Sequence, residues 1–137
     1  MTVLEKLKEF IDGAKDSGYV PPKWIDDDDM KVYVRKGRHL LKPGGKIQVC
    51  LDIAYVEVDE DKRGEGIFSN FLEQAHEMNP WDATYVECVH NQDLAACLLK
   101  YGWMLIEGSF PHSFFLMKNW DNFFEIPGLT RKKFDLQ

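Results

Sequence analysis

Apolar residues recur at Leu4, Leu7, Phe10, Ile11 and Ala14, a spacing that gathers them on one helical face and predicts a helix over residues 3–16. Gly18 and the pair Pro21-Pro22 end it. Residues 30–41 and 47–58 change period: they are rich in β-branched and aromatic side chains and predict two strands. The turn residues Pro43-Gly44-Gly45 join them as an antiparallel pair. Helical spacing returns with Ile67, Phe71, Leu72 and Ala75, predicting a helix over 66–78 that stops at Asn79-Pro80. A short strand follows at 84–89, and strand, helix and strand in succession imply a right-handed crossover with the two strands parallel. Residues 91–101 read as a compact helix closed by Gly102, and 103–106 with 113–117 as a last strand pair. The aromatic tail, Trp120, Phe123 and Phe124, is expected to pack on the sheet. The pattern describes an α/β (α+β) chain with a mixed sheet flanked by helices, and it contains no repeat.

Length adds one expectation: 137 residues suit a single domain spanning 1–137. The 23 acidic and 17 basic residues leave a net charge of −6, which argues against nucleic acid as a partner. Residues 31–46 are the exception, with six Lys or Arg and no acid, directly after the run Asp26 to Asp29. A solvated hairpin is the simpler reading of the basic stretch and a polyanion site the sharper one. The Asp run lacks the spaced ligands of a calcium loop, so a solvated loop and no metal are expected. Cys50, Cys88 and Cys97 match neither a zinc site nor a disulfide framework and read as buried, reduced thiols. Acids interrupt the apolar residues of the first helix, so it is not a signal peptide, and no run reaches membrane-spanning length. A soluble, cytoplasmic protein with no membrane partner is the expectation.

Candidate chemistry starts at residues 59–75, DEDKRGEGIFSNFLEQA. A predicted strand runs into the glycines Gly64 and Gly66, and a predicted helix runs out of them. The first N–H groups of a helix lack intrahelical acceptors and carry the positive end of its dipole, so an anion suits this junction. Two glycines spaced by one residue let a diphosphate approach the backbone. An ordinary turn into a helix is the simpler reading of them. A nucleotide P-loop is not supported, because no Gly-Lys-Ser/Thr follows.

In this order of elements, Arg63-Gly64-Glu65-Gly66-Ile67-Phe68 resembles the acyl-CoA motif of the GNAT superfamily of N-acetyltransferases: Arg or Gln, two residues, Gly, one residue, then Gly or Ala. Val58 stands five residues before the arginine, as that family favours. A second likeness lies downstream, where Asn91 opens a helix that closes on Gly102-Trp103. The two together cover about residues 47 to 105. There are two departures from the family pattern: Phe68 stands where a small residue is usual, and Leu98 stands where the family's proton-donating tyrosine sits.

The resemblance implies a GNAT-like mixed central sheet splayed between its two parallel strands, with acetyl-CoA as co-substrate in the gap. On that expectation the backbone of Val56 and Val58 pairs with the pantetheine arm. The amides of Arg63, Gly64, Glu65, Gly66, Ile67 and Phe68 hold the pyrophosphate, helped by the charges of Lys62 and Arg63. Asn91 bonds the pantetheine. The implied reaction moves an acetyl group to a primary amine by direct attack on the thioester. Glu87 is the first candidate for the base, with burial raising its pKa, and Glu57 the second, each open to the reading of a solvent-facing strand residue. A backbone N–H near Val58 is expected to hold the oxyanion, and His90 to assist or to serve structure alone. Tyr101, one turn beyond Leu98, is the candidate acid, with a packed helix-end aromatic as the alternative. Residues 18–30 and 107–112 are expected to shape the acceptor pocket. A protein that binds CoA or a partner without catalysis is the alternative that the two departures leave open.

Overall fold

The computed structural model describes residues 1–89, 92–106, 108, 109 and 112–124. In chain order these form α1 (Val3–Ala14), β1 (Lys23–Asp26), β2 (Met30–Leu40), β3 (Ile47–Val58), a 3-10 turn (Glu60–Lys62), α2 (Ile67–Met78), β4 (Ala83–Val89), α3 (Gln92–Lys100), β5 (Met104–Leu105), β6 (His112–Met117) and α4 (Trp120–Phe124). The strands make one mixed sheet in the order β1-β2-β3-β4-β6-β5. β3 and β4 are parallel and every other pair is antiparallel, as the crossover through α2 requires.

The main core lies on one face of the sheet, where Leu7 and Phe10 of α1 and Phe71 of α2 pack on Val32, Val34, Leu51 and Ile53. Leu98 of α3 joins the same cluster. A smaller cluster on the other face, Cys50, Ala83, Phe115, Met117 and Phe123, is covered by α4. Among the described residues, α4 covers the end of that face beside β6 and none covers the end beside β1. Cys50 is the buried thiol expected, with burial first and then Asp52 and Asp82 pushing its pKa up, while Cys97 is only half-buried.

The Asp run is in part the solvated loop expected, with Asp28 exposed, but its ends are tied down. Trp24 to Asp26 belong to an edge strand, four residues too short to show a period, and Asp27 accepts from Val3 N at 3.0 Å, Asp29 N at 2.8 Å and Met30 N at 3.1 Å. Burial opposes its ionisation, but these three N–H donors outweigh that and hold the carboxyl below its usual range. The basic stretch is the expected hairpin of β2 and β3, but several of its cations are internal ties. Lys36 donates to Ala14 O at 3.0 Å, beside the last turn of α1, where the helix dipole is negative. Lys42 lies 4.7 Å from the centre of the Phe123 ring, Lys31 lies 4.6 Å from that of Trp24, and Arg35 is ion-paired.

The far end of α2 is held by a polar knot. Asn79 donates to Ala83 O at 2.7 Å and to Thr84 Oγ1 at 2.9 Å, and His76 Nδ1 lies 2.8 Å from the same hydroxyl. Lys118 donates to His76 O at 2.6 Å. Burial, reinforced by the Lys118 charge and only partly offset by a bond to the Met117 backbone, lowers the imidazole pKa from 6.5 to about 4. The unfolded chain therefore takes up a proton below pH 6.5 that the folded chain refuses until about pH 4, so stability falls as pH drops through that window. We expect a loss of about 1–2 kcal/mol, the ring being partly solvated. Thermal unfolding of wild type and His76→Gln from pH 7.5 to 4 checks this, with a shallower pH dependence expected for the variant. No described helix is long and apolar enough to cross a membrane.

Candidate active site

The parallel ladder between β3 and β4 is short. It runs from Cys50 opposite Ala83 to Ile53 opposite Val86, although β3 continues to Val58. A bulge marks the point of parting: Tyr33 faces Tyr55 and Val34 faces Ile53, so Ala54 has no partner. A bulge bends and twists its strand, here away from β4. It also changes which side chains face the core. Leu51 and Ile53 belong to the core before the bulge, Val56 and Val58 pack against it afterwards, and Tyr55 and Glu57 turn to the opposite face.

The parting opens a cleft of about 800 Å³. Ile53 and Val86 lie at its base, residues 54–58 form one side, and Gly64, Gly66 and Phe68 with Leu94 and Cys97 of α3 form the rest. Along β3 the backbone facing the cleft has a defined register. Asp59 N–H bonds Asp29 O at 2.8 Å, so alternation in the antiparallel ladder directs the backbone groups of Glu57 and Tyr55 to β2 and those of Val56 and Val58 to the open edge. Arg63 Nε, donating to Val58 O at 3.2 Å, agrees with this register and ties the glycine loop to the strand end.

Gly64 and Gly66 have φ of +85° and +75°, left-handed values that favour glycine, and a Cβ at either would meet no atom within 4 Å. Open space borders the backbone there. Gly66 is the N-cap of α2 and supplies no side-chain acceptor, so the first-turn N–H groups of the helix have no cap bond. A chain of this kind can receive a diphosphate at the loop and an extended amide-bearing arm along the free edge of β3. The residues therefore fit an acyl-CoA.

No family model and no curated protein matches this sequence. Solved structures match it in fold. The chain is similar to AtaT complexed with acetyl-methionyl-tRNAfMet, with a TM-score of 0.52 and 10% identity over 65% of this chain and 62% of that one. It is also similar to the protein in the KacTA–DNA complex, with a TM-score of 0.53 and 12% identity over 82% of this chain and 79% of that one. Both neighbours have the GNAT fold. This chain has the GNAT fold too. It spans less than two thirds of the length of the first neighbour.

Within the GNAT fold the expected residues separate into groups. Val56, Glu57, Val58, Arg63, Gly64, Gly66, Ile67, Phe68 and Glu87 all line the cleft. Phe68, the bulky departure from the motif, stacks on Phe71 at 6.3 Å between ring centres and packs against the core, which takes its ring away from the glycine backbone. Glu65 is exposed and does not line the cleft. Lys62 ends the 3-10 turn with its ammonium 4.0 Å from Asp29, also outside the cleft wall. Leu98 is 3% exposed in the core, and Tyr101, 68% exposed, lines a second groove of about 520 Å³ between α2 and α3, which adjoins the cleft at Ser69 and Cys97. Tyr101, the expected acid, borders that groove and not the cleft itself. Asn91 and His90 lie outside the described residues.

Glu87 is not the solitary buried carboxylate the sequence suggests. Arg35 bridges it to Asp52, with Nη2 on Glu87 and Nε 2.9 Å from Asp52 Oδ2. Asp52 is fully buried and also lies 2.9 Å from His39 Nε2, whose ring stacks on Tyr85 at 4.0 Å. Gly37 makes this possible: a Cβ there would lie 2.1 Å from Asp52 Oδ2. These residues were missed from sequence. Arg35, Gly37 and His39 alternate along β2, and Asp52 interrupts an apolar strand; that period of two is the signal that could have found them. Ser69 and Cys97, 4.0 Å apart across the cleft wall, carried no sequence signal.

Proposed function

We propose that residues 1–137 form one acetyl-CoA-dependent N-acetyltransferase domain that moves an acetyl group to a primary amine by direct attack on the thioester. The observation that carries this reading is the cleft itself, opened where β3 and β4 part and bordered by the left-handed glycines at the start of α2. The N–H groups at the start of α2 would hold the pyrophosphate, and Arg63 adds charge at its edge. Backbone groups of Val56 and Val58 would pair with the pantetheine amides as a neighbouring strand does, and an N–H there would also hold the oxyanion.

Glu87 is the proposed base, and the ion pair with Arg35 holds it in place. It takes the proton as the amine nitrogen bonds to the acetyl carbon, directly or through water, and the carbon–sulfur bond then breaks to release a thiolate, which is stable enough near neutral pH to leave without a side-chain acid. Glu57, exposed on the same wall, is the second candidate. Glu87→Gln is expected to lower kcat about 100-fold with acetyl-CoA affinity kept. Tyr101→Phe is expected to leave the rate unchanged. Thiol release on mixing enzyme, acetyl-CoA and an amine panel measures both. A wild-type rate for Glu87→Gln sinks the base assignment, and acetyl-CoA binding by the wild type without transfer to any amine sinks the enzyme reading.

The burial of Leu98 favours a second reading, a GNAT-fold module that binds acyl-CoA without catalysis, because no tyrosine stands where the family's donor does. Net acidity argued against nucleic acid. The neighbours, solved with a tRNA and with DNA, lend that expectation no support, so an amine carried by a nucleic acid belongs in the panel.

A further inference from the structure

The open face of the sheet carries a row of rings that the acetyl-transfer reading leaves unused. Register aligns Trp24, Tyr33 and Tyr55 across β1, β2 and β3. Trp24 lies 4.8 Å from Tyr33 and 5.6 Å from Tyr55 between ring centres. Trp24 is 47% and Tyr55 52% exposed, a large apolar area for water to cover. Tyr55 also lines the cleft, on the face opposite the helices and the glycine loop. A second substrate can therefore reach the cleft from this side while acetyl-CoA enters from the other.

Two observations define what these rings would hold. The Lys31 ammonium sits 4.6 Å from the Trp24 ring centre, so the row already accepts a cation on its π face, where ring quadrupoles favour positive charge. Of the carboxylates on this face, Asp52 is fully buried and Glu87 is paired with Arg35, which leaves the exposed Glu57, opposite Lys31 in the ladder, beside the rings. Arg35 is taken up by its two carboxylates and Lys31 lies against the Trp24 ring, whereas an added ammonium would find exposed ring faces and the Glu57 carboxylate. Strand rise of about 3.3 Å per residue and strand spacing of about 4.8 Å place the row roughly 7–12 Å from the point where β3 and β4 part.

We propose that the acceptor is a small di- or polyamine, its reacting nitrogen in the cleft and its second positive charge on the Trp24, Tyr33 and Tyr55 rings. This rests on the acetyltransferase reading above. The test measures kcat/KM by thiol release for α,ω-diamines of two to ten methylenes against n-alkylamines of equal length. Diamines whose nitrogens stand about 7–12 Å apart are expected to exceed the matched monoamine at least tenfold, through KM. In Trp24→Ala that preference should shrink to within about twofold, and Trp24→Phe, which keeps a ring face, should restore most of it. Transfer to monoamines with no diamine preference, a preference that survives Trp24→Ala, or a preference for an aminoacyl-tRNA or a lysine peptide overturns the diamine assignment and leaves the acetyltransferase reading standing. Absence of transfer to every amine overturns both.

Discussion

Gly66→Asp is expected to weaken acetyl-CoA binding by at least about 100-fold, or roughly 3 kcal/mol, in calorimetric titration. Gly66 has φ +75° at the N-cap of α2, beside the open side of the cleft. Aspartate tolerates left-handed backbone better than most residues and is a good N-cap, so the fold should survive. The loss would be at the ligand: the new carboxylate would accept the N–H groups proposed to hold the pyrophosphate and would repel its charge. Gly66→Asn adds nearly the same volume without the charge and should lose clearly less. Equal binding by wild type and Gly66→Asp would refute the diphosphate cradle and return the glycines to an ordinary turn into a helix.

The largest effect on stability is expected at Asp52. Removing this fully buried carboxylate in Asp52→Ala leaves Arg35 and His39 without the group that both now bond. Breaking a buried ion pair from one side costs about 3–5 kcal/mol, and because the Arg35 side chain is partly exposed the lower figure is expected here. That corresponds to a drop in Tm of roughly 10 °C. Gly37→Ala should destabilise through the same group, since its methyl must displace Asp52 from a position 2.1 Å away. Urea unfolding of both variants measures this, and a change in midpoint below that of a typical surface substitution would show that the network does not hold the strands together. The Arg35 bridge makes the network matter to function as well. A stable but misaimed Glu87 would lower kcat in either variant with acetyl-CoA binding kept, which separates positioning from simple unfolding.

The residues of the fold that were legible in sequence are those whose neighbours lie close in the chain. Leu4, Leu7, Phe10, Ile11 and Ala14 repeat at the helical period because one face of α1 is buried, and β3 was read to its observed ends, Ile47 and Val58, from its β-branched and aromatic content. The strand, glycines and helix at 47–78 were equally local, so the loop with its left-handed glycines could be located, and with it the resemblance to the GNAT motif. β1 and α4 were not read because four and five residues are too few for a period to show, and pairing with β2 or packing on Phe115 decides them.

What the side chains do was decided by tertiary structure. Period and composition give Lys36, Lys42 and Arg35 one surface character, yet α1, the aromatic tail and Asp52 take them as partners from 17 to 81 positions away. Tyr101 illustrates the limit from the other side. Helical spacing puts it one turn from Leu98, but only the placing of α3 against the sheet determines that it borders the groove beside α2 and not the cleft. The parting of β3 from β4 was expected only through the GNAT resemblance, since a run as regular as IQVCLDIAYVEV does not show it: a bulge at Ala54 exists only relative to the partner strand that skips it. The sequence by itself determined the order of the elements and the glycine loop, through periodicity and local backbone preference. Tertiary structure alone decided the place and lining of the cleft, the Asp52–Arg35–Glu87 bridge and the ring row, since each is an arrangement of groups distant in the chain, and their contacts leave no period to read.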